Sequence, residues 1–323
     1  MSIRPRLVLD FERPILEIED ELDRFRELAA ASPVDLGAEV RRMEDRLAQV
    51  RLAIMRNLKP SQRVQIARHP ARPTTLDHIQ AITTSFLELH GDRQGFDDRA
   101  IVGGLGVFRG RTVMFVGHQK GRDTKDNLAR NFGMAHPEGY RKALRLFRHA
   151  AKFGLPIVTL IDTPGAYPGI DAEARGQSAA ISRNMMEMAR LPVPIVSIVI
   201  GEGSSGGALG LGVADRILML EHAYYAVISP EGCAAILWKD GSQALRAAEA
   251  LRMTAPDLVE LGIIDGIIPE PPGGAHRDPV QAPMLLAEAL DEALLDLVRQ
   301  PGINLIETRA AKFAAMGRHA EMF

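Results

Sequence analysis

The sequence predicts an α/β protein whose sheet is covered on both faces, with a helical pair ahead of it and helices behind. Three observations predict this. From residue 137 onward, apolar strand-like runs alternate with helical segments. Two glycine-rich loops each follow an apolar run and precede a helix, and residues 14–58 carry two amphipathic stripes. Apolar runs without polar alternation, spaced by helices, mark βαβ units, because strands of a covered sheet meet no water.

Ile15, Ile18, Leu22, Phe25 and Leu28 recur at helical spacing over 14–30, with Pro14 suited to a first turn. After a break at Pro33, Leu36, Val40, Met43, Leu47, Val50, Ile54 and Leu58 repeat that spacing. The two helices read as a hairpin whose stripe either packs on the core or meets a partner. Residues 61–89 read as two short helices punctuated by Pro70 and Pro73. Strands are expected at 101–108 and 112–116, turning at Arg109-Gly110. The alternation then runs helix 138–153, strand 156–161, helix 176–191, strand 194–200, helix 205–213 and strand 216–220. A late strand is expected within 263–268, a turn-rich loop over 269–279, and helix again over 280–320. The division expected is an N-terminal helical extension, 1–90, and a main domain with C-terminal helices, 91–323.

Composition excludes several classes. A fold of 323 residues buries roughly 75% of its unfolded surface and needs no metal or disulfide staple. The net charge of −2 gives no whole-protein field for nucleic acid or anionic lipid. A single cysteine, Cys233, can form no intrachain disulfide and no Cys-rich zinc site, which suits a reducing cytoplasm. The first residues meet acidic positions too soon for a signal-peptide core. The apolar run 191–200 is too short for a bilayer span and holds two prolines.

The densest chemical signal is GEGSSGGALGLG, 201–212, directly after an apolar strand. Such a loop presents backbone N–H groups at a helix start, where they hold phosphate or stabilise an oxyanion; otherwise the glycines only permit a tight turn. Three familiar motifs match in part. Gly201, Gly203 and Gly206 spell a dinucleotide fingerprint, but late in the chain, whereas that fingerprint usually opens its domain. Gly203, Ser205 and Gly207 spell a nucleophile elbow, with Asp215 or Asp265 and His276 downstream, which only geometry decides. Asp162-Thr-Pro-Gly165 matches a GTPase D-x-x-G, but the chain has no phosphate loop to accompany it.

More informative is the pairing of IDTPGAYPG (161–169) with IGEGSSGGA (200–208). Neighbouring strands would bring both loops to one sheet edge, with Gly165, Ala166 and Ser205 lining a shared pocket. Both are rich in backbone donors and poor in acids and bases, which points to charge stabilisation. A basic stretch, GHQKGRDTKDNLARNFG (117–133), supplies Lys120 and Arg122 as candidate contacts to a phosphate-bearing substrate; the competing reading is a solvated loop paired with Asp123 and Asp126. His69, His90 and His319 show no ligand spacing, and Trp238 reads as core.

At these residues the chain resembles the alpha subunit family of bacterial acetyl-CoA carboxylase carboxyltransferase. The likeness covers nearly the whole sequence and is most specific in QKGRDTKDNLARNFGMAHPEGYRKALRL, PIVTLIDTPGAYPGIDAEARGQ, EGSSGGALGLGVADRILMLEHAYYAVISPEGCAAILWK and IIPEPPGGAHRDP. One departure is Ser204, where glycine is the commoner residue. The resemblance implies a crotonase-like (ClpP/crotonase) fold of stacked ββα units and an α2β2 assembly with a zinc-ribbon-bearing beta subunit. It implies transfer of a carboxyl group from carboxybiotin, held on the biotin carboxyl carrier protein, to acetyl-CoA, giving malonyl-CoA for fatty acid synthesis. Gly206 and Gly207 would then form the oxyanion hole for the biotin ureido oxygen. No metal is expected in this chain. No Met-Lys-Met segment carries biotin and no phosphate loop binds ATP, so biotin carboxylase activity falls to other chains. The alternatives are a self-sufficient crotonase-fold hydratase or isomerase, a serine hydrolase, and a non-catalytic nucleic-acid-binding regulator. For the last, the basic stretch lacks interleaved aromatics. A branched side chain at Gly207 is expected to block the pocket while leaving the fold intact.

Overall fold

A computed structural model of the chain describes residues 7–31 and 36–317. The expected break at Pro33, His319 and the last residues of the expected C-terminal helix lie outside them. Among the described residues, eight strands form one sheet: β1 (Phe86–Glu88), β2 (Ile101–Phe108), β3 (Arg111–His118), β4 (Ile157–Thr163), β5 (Ile195–Ser204), β6 (Arg216–Leu220), β7 (Tyr224–Ala226) and β8 (Gly266–Ile268). The order is β1-β2-β3-β4-β5-β6-β8, with β7 alongside the far end of β5. β1, β2 and β3 are antiparallel, and the pairs from β3 through β8 are parallel. The β2–β3 hairpin turns at Arg109-Gly110, with φ of 46° and 77°. Two positive φ values give the turn whose twist matches the strands.

Every residue of β4 and β5 is buried, so both sheet faces are covered. The helices are α1 (Arg13–Ala31), α2 (Gly37–Arg56), α3 (Pro60–Ala67), α4 (Thr75–Ile82), α5 (Thr124–Ala129), α6 (Pro137–Lys152), α7 (Ile170–Ala174), α8 (Gln177–Met188), α9 (Ser205–Leu209), α10 (Pro230–Trp238), α11 (Ala244–Ala250), α12 (Ala255–Glu260), α13 (Gln281–Leu297) and α14 (Gly302–Ala315). α6 packs on β2, β3 and α8, whereas α4 packs on α13 and on β2–β4. α1 and α2 form the expected pair around a small cluster of their own: Ile15, Ile18, Leu22, Leu47 and Met55, with Leu58 and Ile66 beneath. Ion pairs from Arg277 to Glu12 and Glu19, and a contact of His276 with Glu12 at 2.9 Å, tie that pair to the 269–279 loop.

Four expectations change. Residues 61–89 hold two helices, but end in the edge strand β1, paired with β2. β5 runs to Ser204, four residues past its apolar run, because β7 gives its end a partner. α9 is correspondingly only five residues instead of the nine expected from 205–213. The C-terminal helix is two helices, parted near Pro301, whose ring lacks the N–H that a continuous helix needs there.

Candidate active site

β4 and β5 are parallel neighbours, so the segments that follow them emerge at one sheet edge. Their register is interrupted. Between the pairs Ile161–Val199 and Thr163–Gly203, β4 advances two residues and β5 four, a bulge centred on 200–202. A bulge bends its strand and re-aims the chain beyond it, and here the strand turns within two residues into α9. Ser205, Gly206 and Gly207 open α9, where an N–H has no intrahelical acceptor. The Ser204 side chain does not cap them, and its buried hydroxyl has no partner.

Gly207 meets the other loop directly. A Cβ there would stand 2.5 Å from both Ala166 N and Gly165 C. The expectation that a branched residue leaves the fold intact is therefore corrected: position 207 has no room, because the two loops touch through it. Gly206 differs, with Ile181 methyls no nearer than 3.8 Å to an added Cβ. The structure thus brings Gly165, Ala166, Gly206 and Gly207 together. Tyr140 Oη donates to Gly207 O at 3.3 Å, and Asn184 Nδ2 to Gly210 O at 3.1 Å, holding α9 from behind. The first loop is tied by Thr163 Oγ1, 2.6 Å from Gly165 O, and by Gln177 Nε2, which donates to Ala135 O at 2.8 Å and Tyr167 O at 3.0 Å.

Ser205 lies beside the glycines, exposed, with φ of 57°. Among the described residues no histidine or carboxylate hydrogen-bonds its hydroxyl, and His276, the expected elbow partner, is engaged with Glu12. Lys120 is half-buried, its side chain 19% exposed, with Nζ 2.6 Å from Glu202 Oε1 and 2.8 Å from Asp162 Oδ1. Burial would lower its pKa, but the two carboxylates outweigh that and raise it. Burial likewise works to raise Glu202, yet Lys120, Arg68 and the Tyr224 hydroxyl bring it down to about 2. Arg122 is exposed and pairs with Asp77, away from Lys120. Elsewhere in the basic stretch, Arg130 pairs with Asp126 at 2.8 Å, and Asp123 caps α5.

A cleft of about 770 Å³ lies between the N-terminal pair and the 269–281 segment, lined by Arg51, His69, Arg122, His276 and Arg277. None of the glycine-loop residues lines it, and Arg51, Arg122 and Arg277 are each paired with a carboxylate. Chemistry therefore favours the loop edge over this hollow. Sequence reasoning missed Arg68, Glu202, Tyr140 and Asn184, and took Asp162 only as part of a rejected D-x-x-G match. The available signal was an acid at each apolar strand end, Asp162 and Glu202, since a buried charge requires a partner elsewhere.

Comparison with known proteins bears on this edge. Residues 8–317 match the family described as acetyl co-enzyme A carboxylase carboxyltransferase-like. The chain is 55% identical over 311 residues to the acetyl-coenzyme A carboxylase carboxyl transferase subunit alpha of Synechococcus elongatus, covering 96% of this chain and 95% of that one. It is also 55% identical over 320 residues to the corresponding Synechocystis subunit, covering 99% and 98%. Among solved structures it resembles one chain of a Pseudomonas malonate decarboxylase hetero-tetramer, with a TM-score of 0.59 and 18% identity over 75% of this chain and 95% of that one. Transcarboxylase 12S gives a TM-score of 0.55 with 21% identity over 69% of this chain and 42% of that one. These likenesses establish a crotonase-like fold.

Proposed function

The chain belongs to the acetyl-CoA carboxylase carboxyltransferase alpha-subunit family, and from that premise we propose how its loop edge works. With a beta subunit it moves a carboxyl group to acetyl-CoA, giving malonyl-CoA for fatty acid synthesis. The carboxyl donor is carboxybiotin, a substrate presented on the biotin carboxyl carrier protein and charged by biotin carboxylase. In the transfer, the bond from the carboxyl carbon to the ureido nitrogen breaks and a bond to the acetyl methyl carbon forms. The methyl proton leaves for the freed biotin. Negative charge builds on the ureido oxygen as the first bond breaks. Backbone donors of Gly206 and Gly207 meet that charge, and Gly165, Ala166 and Ser205 border the space it occupies. One lost oxyanion donor typically costs ~10²–10³ in rate.

The observation that supports this most is the contact of Gly207 with Gly165–Ala166, which joins two donor-rich segments at one open edge. Among the described residues, no side-chain base is hydrogen-bonded to Ser205. The second donor set, the zinc ribbon and most of the acetyl-CoA contacts belong to the beta subunit in an α2β2 complex of the cytoplasm. Among the described residues, no helix is long and apolar enough to cross a membrane. In this reading residues 1–90 serve as a helical extension of the carboxyltransferase domain, 91–323. Arg122, exposed beyond the loops, contacts a substrate phosphate or the carrier. The test is conversion of malonyl-CoA and biocytin to acetyl-CoA with and without the beta subunit. Turnover is expected only with both; full turnover by this chain alone overturns the reading.

A further inference from the structure

The β5 bulge turns a buried strand into the donor segment, and its polar groups are held from several directions. Ile200 O accepts from Arg72 Nε at 2.7 Å. Glu202 N–H donates to Asp162 Oδ1 at 2.9 Å, an approach that only glycine at 201 permits, since a Cβ there would sit 2.5 Å from that oxygen. Glu202 Oε2 accepts from Arg68 Nε at 2.8 Å and from Tyr224 Oη at 2.6 Å. Its other oxygen goes to Lys120, which also reaches Asp162.

The placement of these two carboxylates is the informative point. Asp162 stands three residues before Gly165, and Glu202 three before Ser205. A single ammonium therefore joins the roots of both loops. Without it, two buried carboxylates would face each other with only Arg68, on Glu202, left among the described residues to pair with them, and like charges there repel strongly. We propose that Lys120 is a positioning residue: by bridging Asp162 and Glu202 it sets the spacing of the two donor loops, and it does not touch substrate. This rests on the proposed function and assigns Lys120 a different part from the phosphate contact expected of the basic stretch.

The test uses the complete complex with its beta subunit and carries Lys120→Met, which keeps the apolar stem and removes the charge. A small misplacement of catalytic groups costs up to ~10²-fold in rate, so kcat is expected to fall by ~10–10² while KM for malonyl-CoA stays within about twofold. Amide hydrogen exchange is expected to rise at 165–167 and at 205–207 together. Lys120→Met combined with Glu202→Gln is expected to be no slower than Lys120→Met alone, because the two changes break one interaction. A folded variant with kcat within about twofold of wild type, or with KM raised and kcat unchanged, overturns the proposal. If Lys120→Met does not assemble, Glu202→Gln, which preserves shape, decides by the same criteria. A wild-type complex without transfer activity defeats the functional reading instead; hydrogen exchange at the two loops then still decides the positioning role, and unchanged exchange overturns it.

Discussion

Two adjacent glycines of one motif have different reasons to be glycine. Position 207 is occupied on its Cβ side by the backbone of Gly165 and Ala166, whereas position 206 has room for a Cβ in ordinary contact with Ile181. Gly207→Ala should therefore act on the fold: overpacking against main chain costs about 1–3 kcal/mol, seen as a lowered melting temperature and weakened assembly. Gly206→Val should act on the chemistry. Ile181 tolerates the added Cβ, while the branches would crowd the space at the donor edge, and a fall of ~10²–10³ in rate with a nearly unchanged melting temperature is expected. Measuring both properties on each variant separates the roles; a folded Gly206→Val at wild-type rate would show that nothing needs that space. The motif was legible in the sequence as glycine density after a strand. Which glycine is packed tight and which has room for a Cβ was not, because that depends on how closely the second loop approaches.

At the level of elements, strands were easier to read than their ends. The apolar run that closes at Ile200 marked β5, but the strand continues through Glu202 because its charge is met by Lys120 and Arg68 and its backbone by β7. Those partners come from far along the chain, beyond the reach of local pattern. The C-terminal helices show the same limit. α14 lies within the stretch expected as one helix over 280–320, yet it is anchored by Arg309, wholly buried in the structure. Its guanidinium donates to Asp215 Oδ1 at 2.9 Å and Oδ2 at 2.8 Å, and to the carbonyls of Met188, Leu191 and Val193. Arg309→Leu leaves Asp215 buried and unpaired, and is expected to cost about 3–5 kcal/mol in a denaturant titration. Asp215→Asn in the same background should return part of that loss by removing the stranded charge. A cost below about 1 kcal/mol would mean that α14 is held by its apolar face alone.

The whole molecule buries ionisable groups well beyond the site, and this gives its stability a pH dependence with a definite order. His78 and His118 are fully buried, and burial lowers each to about 3, with the charges of Arg72 and Lys120 adding to the shift. Among the described residues neither ring has a hydrogen-bond partner, and the nearby Gly207 carbonyl only partly offsets the effect of burial on His118. The ordinary value is 6.5, so between 6.5 and about 3 the unfolded chain takes up a proton that the folded one refuses. Stability therefore falls as pH drops below 6.5, by about 1.4 kcal/mol per unit for each ring. His69 and His222, also lowered by burial, steepen the fall. Glu12, Glu202 and Glu270 join later. Burial works to raise each, but their cationic partners hold them at about 2, so their contribution is present above 4.5 and lost as pH falls from there toward 2. Asp98, raised by burial, acts the other way, and only from 3.8 upward. Urea titrations from about pH 7.5 to about pH 5 should show unfolding free energy declining below 6.5, before any ordinary carboxylate titrates. His78→Phe replaces a ring that has no hydrogen bond to lose, and should reduce the slope by about 1.4 kcal/mol per unit, the weight of one proton. A flat profile across that range, or a slope unchanged by the substitution, would show that these histidines are not held neutral in the fold.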